Sequence, residues 1–131
     1  MRRHEKVFCS TKVYCKLSEV LMDHKLASLG DAYINFVYSL AISKRKGEPS
    51  GAKVKGSALS EALRRAGLRA YLPSRMDRHS LADAAEALLV YAWLYDYVTL
   101  NDCVAVLEKA SDVVDGLNQL LTKIKNETKL S

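Results

Sequence analysis

The chain has 131 residues, 49% of them hydrophobic, and a formal net charge of +5. One domain with a core of ordinary size fits that length, and a second folded domain does not. The longest quiet stretch, "LASLGDAYINFVYSLAI" at 26–42, is shorter than a membrane span and is broken by Asp31, which reads against a transmembrane protein.

Residues 6–21, "KVFCSTKVYCKLSEVL", place Val7, Tyr14, Leu17 and Leu21 on one helical stripe, so a helix is expected there despite the β-branched residues. Residues 25–45 set Leu26, Leu29, Tyr33, Phe36, Val37 and Leu40 at three-and-four spacing, the pattern of a helix with an apolar face. Ala27, Ile34 and Tyr38 make its other face nearly as quiet, which places this helix in the middle of a bundle. Gly47, Pro49, Gly51 and Gly56 punctuate "KGEPSGAKVKGS" as a loop. A short basic helix over 57–66, "SALSEALRRA", is stopped by Gly67, and "LRAYLPSRMDRH" reads as a connector with a helical turn before Pro73. Ser80 is the expected cap of a long helix that runs to about residue 96, "LADAAEALLVYAWLYD". A last helix starts at Thr99 or Asn101 and carries Val104, Leu107, Val114, Leu117, Leu121 and Ile124 on its apolar face, with "NETKLS" as a frayed tail. The expected fold class is all-α, a single-domain helical bundle over residues 1–131.

Charge is unevenly spread. Residues 44–79 hold ten Lys/Arg against three acids, a local +7 that leaves −2 for the rest. A basic surface gathered in one segment suits a polyanion, and it also suits an ordinary solvated face. The basic start "MRRHEKVFCS" is followed by no apolar run, so a signal peptide is not expected. Cys9, Cys15 and Cys103 form no metal-binding spacing, and an odd count reads as reduced thiols of a cytoplasmic protein, each packing in the core.

Asp31 sits alone in the first quiet helix, directly after Gly30. From Leu81 to Tyr95 the only charges are Asp83 and Glu86, at i and i+3 and therefore on one helix face. Two charge-poor helices thus carry three carboxylates and no base. Crowded, half-buried carboxylates need a cation. An Arg or Lys from elsewhere in the fold could serve, as could a hard divalent ion such as Mg²⁺. The lack of a His-rich or Cys-rich cluster argues against zinc. Each acid also admits an ordinary role: Asp83 in a first helical turn, Glu86 paired with a loop arginine, Asp31 with a lysine.

These residues resemble the ribonuclease III endonuclease domain family. "LASLGDAYINFVYSLAI" is similar to the family's signature helix, in which an L-G-D core precedes an apolar run. "LADAAEALLVYAWLYD" resembles its second motif, A-D-x-x-E-A-L-(I/L)-G-A-x-(Y/F)-L-D, and "VKGSALSEALRRAGLRAYL" the K-G-x-L-S stretch between them. The resemblance covers about residues 20–98, with a closing helix at about 100–124. The family's glutamates four and seven positions before the signature aspartate are replaced by Ala27 and His24, and the second motif's G-A by Val90 and Tyr91. Mini-ribonuclease III members share that alanine, lack a separate double-stranded-RNA-binding domain, and are nucleases.

The resemblance implies an all-helical homodimer that hydrolyses double-stranded or structured RNA with Mg²⁺ or Mn²⁺. Asp31, Asp83 and Glu86 would be the catalytic, metal-holding residues. Arg64, Arg65, Arg69, Arg75 and Arg78 are the candidates for phosphate contact. Gly30 would let a second helix come close, either across a dimer or within one subunit. Tyr91, Trp93, Tyr95 and Tyr97 would serve the core or the dimer interface. The alternative is a catalytically idle ribonuclease III-fold dimer that binds RNA or ribonucleoprotein structurally, and a weaker one is a helical interaction module whose acids are ordinary ion pairs.

Overall fold

The computed structural model describes residues 8–131. Every regular element among them is helical: α1 (Leu17–Leu21), α2 (His24–Lys46), α3 (Gly56–Arg65), a 3₁₀ turn (Leu68–Tyr71), α4 (Arg78–Leu94), α5 (Leu100–Lys109) and α6 (Val113–Thr128).

Helix α4 is the axis of the bundle. From Ala84 to Ala92 each of its residues is buried, as expected of a helix that is apolar on every side. It packs against α2 along most of its length, and against α1, α3 and α6. Asp77, not Ser80, is its N-cap, because the Asp77 carboxylate accepts from the Ser80 amide at 2.8 Å. The helix therefore starts three residues earlier than the sequence suggested.

Helix α2 begins where the Asp23 carboxylate accepts from the amides of Lys25 and Leu26, at 3.0 and 3.1 Å. Burial opposes charge on Asp23, but the Tyr14 hydroxyl, the Leu26 amide and the Lys12 ammonium outweigh it and hold the carboxyl at about 2. The helix ends at Gly47, whose positive φ of 75° turns the chain out. One helix over 6–21 is not found. Residues 8–16 form no regular element and α1 starts at Leu17, because the Glu19 carboxylate accepts from the Cys15 and Lys16 amides. Residues 6 and 7, like the basic start of the chain, lie outside the described residues. The segment before α1 is held by Tyr95, whose hydroxyl donates to the Lys12 carbonyl, and by Tyr14, whose ring meets Tyr91 and Tyr95 edge-on.

The expected last helix is two. The chain breaks at Ala110–Asp112, and the Asp112 carboxylate caps α6 by accepting from the Asp115 amide at 2.8 Å. The end of the chain is not frayed: Thr128 is buried in the last turn of α6, and the Ser131 carbonyl accepts from the Leu17 amide. Of the cysteines only Cys103 packs in the core, under the Tyr33 hydroxyl, while Cys9 and Cys15 are exposed. No described helix is long and apolar enough to cross a membrane.

Candidate active site

Helices α2 and α4 come close together at Gly30. A Cβ there would lie 2.1 Å from the Glu86 backbone oxygen, so only glycine lets the two helices meet at this level. The close approach is within one subunit. Asp31 follows immediately on α2, and on α4 Asp83 stands one turn before Glu86. All three carboxylates consequently line one cavity of about 480 Å³, together with Lys53 from the α2–α3 loop and the imidazoles of His24 and His79. A larger groove of about 830 Å³ lies beside it, along Phe8, Met22 and Leu29; it contains none of these acids.

Asp31 and Asp83 are exposed to the cavity, whereas Glu86 keeps 7% of its surface. Burial, then the touching Asp31 carboxylate, then Asp83, push the Glu86 carboxyl up to about 8, and Lys53 pulls weakly the other way. Like charges in a partly dry site are the cause. No three His, Cys, Asp or Glu side chains among the described residues converge tightly enough to grip a metal unaided.

Asn35 was not legible as a site residue, yet it organises this one. Its amide nitrogen donates to the Asp31 carbonyl at 2.8 Å and to Asp31 Oδ1 at 3.1 Å, and its oxygen accepts from the Val54 amide at 2.7 Å. The only sequence signal was its i+4 spacing from Asp31.

The basic candidates divide. Arg64 and Arg65 are exposed on α3 and both pair with Glu61. Arg69 spends its guanidinium on the carbonyls of Leu72, Pro73 and Ser74. Arg75 and Arg78 are exposed beside the start of α4. Elsewhere in the basic segment, Arg45 closes the end of α5 by donating to the carbonyls of Leu107, Glu108 and Ala110. The bulk at Val90 and Tyr91 is absorbed away from the cavity: both are buried, with Tyr91 stacked on Tyr95 and Tyr97. Trp93 stacks on Tyr33.

The family model for ribonuclease III matches residues 24–127, which run from the first residue of α2 nearly to the end of α6. The chain belongs to the ribonuclease III family. That family comprises endoribonucleases acting on structured RNA, generally with a divalent metal and typically as dimers. No curated protein matches the chain. The family match begins after α1, so α1 and the segment before it, which brace α4, lie outside it.

Proposed function

We propose that this ribonuclease III-family chain is a metal-dependent endoribonuclease that hydrolyses double-stranded or structured RNA as a cytoplasmic homodimer. The observation that carries this reading is the convergence of Asp31, Asp83 and Glu86 on one cavity from two separate helices.

The donor set suits a hard divalent ion. Three carboxylates give only oxygen ligands, the preference of Mg²⁺ or Mn²⁺. Glu86, driven up to about 8 by burial and then by its acidic neighbours, gains from any cation placed among them. When bound, such an ion makes water nucleophilic and neutralises charge on the phosphate and the leaving oxygen. Asp31 and Glu86 would hold it. Asp83 would be a further ligand or the group that orients the attacking water. With three carboxylates as its protein ligands, such an ion would draw further oxygens from water and phosphate, and its binding would be tighter with RNA than without it.

Duplex RNA is recognised by shape and backbone. Arg75 and Arg78 are the best placed for phosphate, with Arg64 and Arg65 available once they leave Glu61. Arg69 serves the connector that presents them.

A second reading is favoured by Ala27, a buried alanine where the family signature has a glutamate. In that reading the dimer binds structured RNA and does not cut it. Incubation of the purified protein with a long RNA duplex and Mg²⁺ or Mn²⁺, beside Asp31→Asn and Glu86→Gln, separates the two. The hydrolytic reading expects cleavage by wild type, none by Glu86→Gln, and similar RNA binding by both. Binding without cutting in every protein supports the idle dimer.

A further inference from the structure

The α2–α3 loop does not lie loosely over the cavity. Ser39 Oγ donates to the Ala52 carbonyl at 3.0 Å and accepts from the Ala52 amide at 2.9 Å. Ser43 Oγ accepts from the Ser50 amide at 2.9 Å, and Asn35 accepts from Val54 at 2.7 Å. Three polar side chains, one per turn of α2, thus hold residues 50–54 along the helix. Lys53 is the residue in this pinned stretch whose charge enters the acidic cavity.

Asn35 is the junction. Its two ends cannot be exchanged, because the Val54 amide only donates and the Asp31 carbonyl only accepts. The same side chain therefore orients a carboxylate and anchors the loop segment beside it. A divalent ion held by those carboxylates would compete with Lys53 for them and leave its ammonium in want of another anion. A phosphate diester brought to the site would supply that anion, and a charge-assisted contact is the strong kind.

We propose that Asn35 is a positioning residue that fixes the Asp31 carboxylate and the Lys53-bearing loop in one frame, so that the Lys53 ammonium meets the RNA phosphate arriving at the carboxylates. This rests on the hydrolytic reading above.

Wild type, Asn35→Ala, Asn35→Asp, Lys53→Gln and the Asn35→Ala/Lys53→Gln double variant are compared as full-length proteins. Cleavage of a duplex RNA is followed with Mn²⁺, Mn²⁺ affinity is measured without RNA, and RNA affinity is measured in chelator. Lys53→Gln raises KM and weakens metal-free RNA binding about tenfold, while Mn²⁺ binds as well or better because a cation has left. Asn35→Ala weakens Mn²⁺ binding and lowers kcat about tenfold, the usual effect of losing a group that orients a ligand. It also raises KM, and the double variant raises KM no further, since the freed loop no longer presents residue 53. Asn35→Asp keeps the acceptor for Val54 and loses the donor to Asp31, so its KM stays near wild type while kcat falls. Mn²⁺ affinity and kcat within about twofold of wild type in Asn35→Ala would overturn the proposal, as would RNA affinity within about twofold in Lys53→Gln. Wild type that neither cuts nor binds Mn²⁺ sinks the hydrolytic reading, and this role with it; wild type that cuts no better than the variants sinks this role alone.

Discussion

Alanine at position 30 would put its Cβ 2.1 Å from the Glu86 backbone oxygen and 2.5 Å from the carbonyl carbon. Neither atom can swing aside, since both belong to the helix that forms the other wall of the site. Gly30→Ala is therefore expected to destabilise by about 3 kcal/mol, well beyond the ~1 kcal/mol that alanine gains in helix propensity. Urea unfolding measures the loss, and RNA cleavage should fall with it as Asp31 and Glu86 separate. Glu86 makes a second prediction. Its carboxyl is pushed up from 4.5 to about 8 in the fold, so the native state holds a proton that the unfolded chain has released. Stability is then complete below about 4.5 and lost as the pH rises to about 8. Glu86→Gln, which does not titrate, should flatten this slope and raise Tm at pH 8 without added metal, while leaving pH 4 nearly unchanged. Mn²⁺ added to wild type at pH 8 should raise Tm, and in Glu86→Gln much less. The three acids were legible because charge stands out in an oily helix. Asn35 was not, since an uncharged amide gives no such contrast and its partner Val54 is nineteen residues away.

At the scale of elements, α2 and α4 could be read from their apolar period because tertiary packing and sequence pattern agree there. The boundaries that failed were set by side chains acting on backbone. Glu19 reaches back to two amides and delays α1, and Asp112 caps a new helix where neither Gly nor Pro announced a break. The basic segment shows the same limit: composition counts charges but does not say which are already employed. Arg69 is bound to three carbonyls of its own connector, whereas Arg75 and Arg78 are exposed. Replacing both Arg75 and Arg78 by serine should weaken binding of duplex RNA regardless of sequence and reduce the salt dependence of log K by about two. Arg69→Ala should change that slope little and instead lower Tm, as the connector loses its clamp. A titration of RNA affinity against salt for the two proteins, with thermal melts alongside, checks both halves. Equal slopes for wild type and the double serine variant would remove Arg75 and Arg78 from the interface.

At the scale of the whole molecule, no described residue covers one side of α2. Leu29 is 40% and Phe36 54% exposed, and their spacing of two helical turns puts them on the same face. Met22, 47% exposed, and Phe8, 57%, extend that face past the start of the helix, and the groove of about 830 Å³ runs between them. Large apolar side chains gathered along one face mark an association surface. A second copy is the partner this family uses typically, and a two-fold axis through the face would apply the same patch to both subunits. Because His24 lines both the groove and the acidic cavity, such an axis would keep the two acidic cavities close to the dimer interface. Two sites on one RNA could then cut its two strands. Phe36→Glu places a charge at the far end of this patch, away from the residues that line the cavity. The expected outcome is a monomer by light scattering at micromolar concentration, with Tm reduced through loss of the partner. Such a monomer should nick one strand of a duplex slowly, and paired cuts across both strands should disappear. Wild type that elutes as a monomer, or a Phe36→Glu protein that still makes paired cuts, would mean that each subunit acts alone and that this apolar face has another use.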